Sequence, residues 1–154
     1  MRWEQGRAVI DKMLADGHLQ KVPPSRERAE ALLAQARNHL ATAQQAASDD
    51  PEGAYALLYD AARKSLAAML ENQGLRVTSR GGHLGLYDAV SAQLVPPLGA
   101  VFRPFERLRR HRNALEYPDF EEPRAQSADV AEDSDAVEAI MVAAGRILDE
   151  MSPF

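Results

Sequence analysis

The feature that most constrains the fold is a pair of long apolar patterns with helical spacing, separated by one proline-marked turn. In the first of them, apolar residues recur every three or four positions at Ala29, Leu32, Leu33, Ala36, Leu40 and Ala43. This spacing matches the period of an α-helix and predicts one apolar stripe. The second pattern, residues 51–73, is apolar on two faces. A helix of that kind needs neighbours on both sides, so we expect residues 51–73 to form the central helix of a bundle.

The ends of these two helices are marked by residues with specific backbone roles. Ser25 is a good N-cap for the first helix, which should end near Ala47. Asp50 precedes Pro51, which combines a capping side chain with a proline in the first helical turn. Gly74 follows the second helix and favours its termination. The two long helices are therefore predicted to form an antiparallel hairpin.

Further helices are predicted over residues 4–15, 83–93, 104–116 and 128–151. Residues 18–24 are interpreted as a linker, and residues 75–82 and 119–126 as loops. Since no segment alternates with period two for long enough, no strand is predicted. The expectation is an all-α protein, an up-and-down four-helix bundle with extra short helices. Residues 1–154 are expected to form one domain, with its core at 25–151 and an N-terminal helix and linker at 1–24.

Composition narrows the chemistry. The chain has no cysteine, and its four histidines show no close pair with the spacing of metal ligands, so we expect neither a metal site nor a cofactor. The first residues lack the apolar stretch of a signal peptide, and no run of 18 uncharged residues exists. We therefore expect a cytoplasmic protein that does not span a membrane.

Charge is unevenly distributed along the chain. Residues 103–112 hold five arginines and one glutamate, a local charge of +4. Because the net charge of the whole chain is −5, the other residues together carry −9. Residues 119–135 hold seven acidic residues and one arginine. Two interpretations of this acidic segment stay open: a solvated loop and helix start, or a shield for the arginines when nothing is bound.

The arginine-rich helix has one residue that breaks its apolar pattern. A single face of it carries Phe105, Leu108, Arg112 and Leu115. Arg112 thus stands where an apolar residue is expected, and a guanidinium at a bundle seam needs a partner. The candidates are Glu116 one turn further on, Asp60 on the central helix, a second subunit and a phosphate group, which arginine binds well through its planar fork.

The other arginines suggest a surface. Arg103, Arg107 and Arg110 form an outward stripe with Arg109 beside it, and these four are the predicted RNA or phosphate-binding residues. The alternative is a solvated charged face with an internal pair between Arg112 and Glu116. We also expect Phe102 and Phe105 to be exposed, so that the bundle associates as a two-fold dimer.

The segment from Arg109 to Pro118, with the sequence RRHRNALEYP, resembles the signature region of the HEPN superfamily, named for higher-eukaryote and prokaryote nucleotide binding. The paired long helices, the stretch from Tyr59 to Lys64 and the glycine-rich turn before His83 are similar as well. The chain resembles in particular a bacterial branch whose motif ends in Glu-Tyr-Pro. This resemblance extends over nearly the whole chain.

The resemblance implies a homodimeric four-helix bundle with the motif in a cleft between subunits. Many members of this superfamily are metal-independent ribonucleases, often toxins paired with a nucleotidyltransferase antitoxin or parts of phage-defence systems. Their motif is an arginine, a polar residue, three further residues and a histidine. The arginine holds the phosphate, and the histidine assists attack by the RNA 2′-hydroxyl.

By this resemblance, Arg112 and Asn113 occupy the arginine and polar positions, and Tyr117 stands at the histidine position with Glu116 beside it. These four residues are the predicted catalytic set. Free tyrosine titrates near pH 10, which makes it a poor general base at neutral pH. The sequence thus predicts phosphate binding and leaves metal-independent endoribonuclease activity open.

Two functions from different classes follow. The first is the toxin-like partner in a bacterial toxin–antitoxin or defence module, a homodimer that binds RNA or nucleotide phosphates. The second is a non-catalytic helical module that docks an acidic partner such as a nucleotidyltransferase. The role of His83 stays open: the favoured interpretation is an exposed residue beside a turn, and the alternative is a polar residue of the site.

Overall fold

The structure is a computed structural model that describes residues 3–116 and 125–154, without the side chain of Glu116. Two short strands and a series of helices make up these residues. In chain order they are α1 (Arg7–Ala15), β1 (Leu19–Lys21), α2 (Arg26–Ala46), α3 (Pro51–Gln73), β2 (Leu75–Val77), α4 (Gly82–Leu94), α5 (Gly99–Phe102), α6 (Pro104–Glu116) and α7 (Ser127–Ile147).

The predicted capping residues set the ends of α2 and α3. The hydroxyl of Ser25 accepts a hydrogen bond from the backbone N–H of Arg28 at 3.1 Å. The carboxylate of Asp50 accepts one from Gly53 at 3.0 Å. Gly74 ends α3 with a φ of 84°, in the left-handed region. The predicted start of α2 and both predicted ends of α3 are therefore confirmed.

The central position predicted for α3 is confirmed, because α2, α4, α6 and α7 all pack against it. Helix α6 runs antiparallel to α3, since Tyr59 meets Phe105 near the start of α6 and Tyr55 meets His111 near its end. Side-chain contacts that join like ends of α3 and α7 show that these two helices are parallel. Helices α2, α3, α6 and α7 thus alternate up and down, which confirms the all-α four-helix bundle; α1, α4 and α5 are the extra helices.

Two predicted irregular segments instead contain a small sheet. Strand β1 pairs antiparallel with β2, with Leu19 opposite Val77 and Lys21 opposite Leu75. The prediction that no strand forms was therefore wrong for these residues. Runs of three residues are too short to reveal an alternating pattern, and the two strands lie far apart in the sequence. Strand β2 lies in the segment that connects the end of α3 to the start of α4, and its pairing with β1 fixes the path of that segment.

The predicted exposure of Phe102 and Phe105 was wrong, because both side chains are fully buried. The ring of Phe105 stacks on Tyr87 at a centroid distance of 5.8 Å and meets Tyr59 at 5.5 Å. Arg103, Arg107 and Arg110, which are near these phenylalanines in the sequence, are exposed, so the charged composition of the segment did not indicate that the two rings are buried. Exposed phenylalanines therefore supply no argument for a dimer.

None of the helices within residues 3–116 and 125–154 is both long and apolar enough to cross a lipid bilayer.

The end of α3 provides a direct test of this packing. A Cβ atom on Gly74 would lie 2.7 Å from the carbonyl oxygen of Val22, and its φ is one that other residues rarely adopt. Gly74→Ala should therefore lower the free energy of unfolding by about 1–3 kcal/mol, measured by urea denaturation. The control is Gly145→Ala within α7, where the added methyl group meets nothing within 4 Å. That change should stabilise the protein by up to about 1 kcal/mol. Equal stability of both variants would contradict the assigned end of α3.

Candidate functional site

Arg112 lies on a cleft of about 380 Å³ formed by α3, the start of α4 and α6. The cleft is lined by Ala56, Leu57, Tyr59, Asp60, Arg63, His83 and Arg112. The guanidinium carbon of Arg112 stands 5.7 Å from the centroid of the Tyr59 ring, within the range of a cation–π contact. We call this site the Arg112 cleft.

Helical spacing explains why these residues meet. On α3, Asp60 and Arg63 are three residues apart and therefore share a side of the helix beside Tyr59. On α6, Leu108 is buried, and Arg112 lies one turn further along the same side. The core packing of α6 thus directs the Arg112 side chain to the seam with α3.

Asp60 is the negative centre of the cleft. Its carboxylate accepts hydrogen bonds from Arg63 at 2.7 Å and lies 3.3 Å from the Lys64 ammonium and 3.4 Å from Nε2 of His39. Burial alone would raise the pKa of Asp60, but the hydrogen bond and charge of Arg63, together with Lys64, outweigh it and lower that pKa. Asp60 is therefore a carboxylate at neutral pH and offsets much of the charge of Arg63.

The ring of His83 is held against the same cleft. Its Nδ1 lies 2.6 Å from the hydroxyl oxygen of Tyr59. Burial raises the pKa of Tyr59 to about 12, against the opposing charges of Arg63 and Arg112. Burial and those same two arginines lower the pKa of His83. The pair is therefore a neutral phenol and a neutral imidazole at pH 7. Its contact uses Nδ1 of the His83 ring, not Nε2.

His83 belongs to the cleft, although the sequence favoured a residue outside the site. Its side chain is exposed beside a turn, as the favoured interpretation held, but its ring is also fixed in the cleft by Tyr59. Helix α4 begins here without a side-chain cap and without an acidic residue in its first turn. The positive end of that helix therefore lies beside His83 without a compensating carboxylate in that turn.

The four arginines predicted to bind phosphate divide into two groups, with Arg103 between α5 and α6 and the other three on α6. Arg109 pairs with Glu106 at 3.4 Å, and its charge acts on the pKa of both Tyr59 and His83. In contrast, Arg103, Arg107 and Arg110 are exposed, and none of them lines the Arg112 cleft. The structure thus brings one of the four predicted phosphate-binding arginines near the cleft and separates the other three.

Arg107 has a partner from the acidic segment. Its guanidinium lies 2.6 Å from one carboxylate oxygen of Asp133, and the Tyr55 hydroxyl donates to the other at 2.7 Å. Asp133 is almost fully buried, and burial together with the hydrogen bond to Asp133 raises the pKa of Tyr55. One residue of the acidic segment therefore does hold an arginine. Residues 119–124 of that segment lie outside the described residues.

The predicted catalytic set is described in part. The side-chain oxygen of Asn113 lies 3.5 Å from Nη1 of Arg112, a distance at the limit of a hydrogen bond. Tyr117 and the side chain of Glu116 lie outside the described residues. Over residues 3–116 and 125–154, no group of three or more histidine or acidic side chains is arranged to hold a metal ion.

Comparison with known proteins agrees with this architecture. A family model described as HEPN domain matches residues 29–152, which include all of the described part of the Arg112 cleft. The chain therefore belongs to the HEPN family. None of the curated proteins and none of the solved structures matched it.

The Asp60 carboxylate makes stability near this site depend on pH. Because its pKa is lowered in the folded chain, the charged form stabilises the fold above the ordinary value near 4, and this contribution is lost as pH falls through the folded value. Asp60→Asn should lower the free energy of unfolding by about 0.5–1 kcal/mol at pH 7. The difference from wild type should shrink below about pH 4.

The matched control is Asp11→Asn, because Asp11 is exposed on α1. That variant should match wild type throughout the pH range in denaturant titrations. A loss in Asp60→Asn that stays constant from neutral to acid pH would show that the carboxylate charge is not the cause.

Proposed function

We propose that this HEPN protein binds the phosphate groups of RNA or nucleotides in the Arg112 cleft. The observation that supports this most is that Arg112, Arg63 and the ring of His83 border one cleft over the buried Tyr59. Arg112 as a whole residue is partly exposed to solvent. Its planar donors suit two phosphate oxygens at once.

The balance of charge in the cleft favours a monoanionic group. Asp60 offsets much of the charge of Arg63 through their 2.7 Å contact, and the charge of Arg112 acts on both Tyr59 and His83 in the cleft. Arg109 and the uncapped start of α4 add to the positive potential. A phosphodiester carries one negative charge and several acceptor oxygens, and so matches these donors in both charge and number.

Ribonuclease activity is the second candidate function, and the neutral imidazole of His83 near Arg112 is the observation that favours it. In that reaction the 2′-hydroxyl would attack the phosphate, forming a 2′,3′-cyclic phosphate, and the bond to the 5′-oxygen would break. Arg112 would stabilise the charge on the phosphate, an imidazole would accept the proton of the 2′-hydroxyl, and water would protonate the leaving 5′-oxygen. Tyr117 stands at the motif position where the family resemblance implies histidine, so the activity should be weak.

The biological setting is part of the same proposal. The HEPN resemblance supports a bacterial, cytoplasmic homodimer that serves as the toxin-like partner of a nucleotidyltransferase-type antitoxin, or in a defence module. The docking alternative draws on the exposed arginines, since Arg103 and Arg110 do not line the cleft and suit an acidic protein surface.

Replacement of Arg112 tests the binding function. Arg112→Ala should weaken the affinity for single-stranded RNA at low salt on the order of tenfold or more, because the variant lacks a charged hydrogen-bond donor to the phosphate. The slope of log affinity against log salt should also become shallower, by roughly 0.7 for each phosphate that the variant no longer neutralises. Fluorescence anisotropy over a salt series measures both quantities.

Arg110→Ala is the matched control, because it removes an exposed arginine from the same helix outside the cleft. It should change the affinity by no more than about twofold, the size expected for one exposed charge. Equal losses in both variants would assign RNA binding to the outward stripe instead. Absence of RNA binding at low salt, with capture of an acidic partner protein that depends on Arg103 and Arg110, would support the docking module.

A further inference from the structure

A second cavity opens beside the Arg112 cleft. It has a volume of about 550 Å³ and lies between α2, α3, β2 and α4. Its apolar wall is formed by Leu32, Ala67, Leu70, Leu75, Val77 and Leu86. Cavities of this size and character commonly take small organic ligands. The described motif residues Arg112 and Asn113 are not part of this wall.

The cavity and the Arg112 cleft share two residues. Arg63 and His83 border both of them, so the two spaces are adjacent on either side of these side chains. A ligand with an anionic group against Arg112 can therefore extend past Arg63 and His83 into apolar surroundings. The spatial order along such a ligand would be anion, short polar link and apolar group.

Two flat polar groups border the cavity and are held in place. The guanidinium of Arg76 makes two hydrogen bonds to the carboxylate of Glu71, at 2.6 and 3.1 Å. The imidazole of His83 is fixed by Tyr59 at 2.6 Å. Nucleobases that are not paired stack on both kinds of planar group, and their edges hydrogen-bond to polar side chains. An alkyl chain would use neither of these features.

We propose that this cavity is a base-binding subsite: one unpaired nucleotide places its phosphate against Arg112 and its base among Ala67, Val77 and Leu86. The inference rests on the proposed phosphate function of the Arg112 cleft and names its ligand class, a nucleoside phosphate rather than phosphate alone. The ribose then lies beside Arg63 and His83, which separate the two spaces.

The cavity can be filled without changing its charges. Ala67 is a partly exposed alanine of α3 on the cavity wall, so Ala67→Phe places a ring where the base would lie. Ala41→Phe makes the same change on α2 at an exposed position outside the cavity, and serves as the matched control. Ala67→Met is a milder filling change that tests the site if the phenylalanine variant fails to fold, as judged by circular dichroism.

The probes separate the base from the phosphate. Calorimetry with inorganic phosphate, ribose 5-phosphate and the adenosine and uridine 5′-monophosphates measures each affinity for the wild-type chain. A nucleoside monophosphate should bind on the order of tenfold tighter than ribose 5-phosphate, the gain of one stacked base. Ala67→Phe should remove that gain and leave the affinity for inorganic phosphate within about twofold, with Ala67→Met intermediate and Ala41→Phe unchanged.

The outcomes distinguish this inference from the proposed function. Equal affinity for ribose 5-phosphate and the nucleoside monophosphates would overturn the base subsite while phosphate binding stands. An unchanged gain in a folded Ala67→Phe variant would overturn it too. Tighter binding of decyl phosphate than of any nucleotide would assign the cavity to an alkyl chain. Failure of all phosphate compounds to bind, with Arg112→Ala equal to wild type, would overturn the proposed function itself.

One further arm identifies the source of the nucleotide. A short unpaired oligoribonucleotide that binds tighter than its monophosphate, with Ala67→Phe reducing both affinities, would indicate RNA as the ligand. Equal affinities would indicate a free nucleotide. A duplex of the same sequence should bind more weakly than the unpaired strand, because a paired base cannot enter the cavity. Equal binding of duplex and single strand that is insensitive to Ala67→Phe would contradict the subsite.

Discussion

The site depends on the placement of Tyr59. Its ring packs in the bundle core, and its hydroxyl lies at the edge of the Arg112 cleft. The residue is only 2% exposed, and its ring meets Phe105 of α6 on the inner side. On the outer side its hydroxyl contacts Nδ1 of His83, and the guanidinium of Arg112 lies over the face of its ring. Core packing and site geometry therefore share one side chain, and a change in the angle between α3 and α6 would move Arg112 and His83 relative to each other.

Charge in the cleft is arranged around a second constraint, the Asp60 carboxylate. Arginine side chains crowded together would repel one another, and Asp60 reduces this by pairing with Arg63 and Lys64. One carboxylate shared by two cations keeps the local charge small and positive, and Arg112 lies on the same cleft. The cleft therefore suits a ligand of low negative charge better than a polyanion that needs several arginines at once, and the adjoining cavity offers apolar surface for the rest of that ligand.

Those parts of the molecule that depend on local patterns were predictable from the sequence. Ser25 and Gly74 marked helix ends through backbone chemistry, and the spacing of Leu108 and Arg112 put the arginine on the inner side of α6. The contact of His83 with Tyr59 was not predictable, because it depends on the path of the chain from α3 to α4. The pairing of β2 with β1, which are far apart in the sequence, fixes that path. The burial of Phe102 was missed because the surrounding arginines dominate the local composition.

We expect the cleft that Arg112 and His83 border together, although they are distant in sequence, to be the site that binds a phosphate group. Chemical-shift mapping with isotope-labelled protein and inorganic phosphate tests it most directly. The largest perturbations should fall on the guanidinium signals of Arg112 and Arg63 and on the imidazole of His83. Saturable perturbations centred on Arg103 and Arg110, with the signals of Arg112 and His83 unchanged, would contradict it.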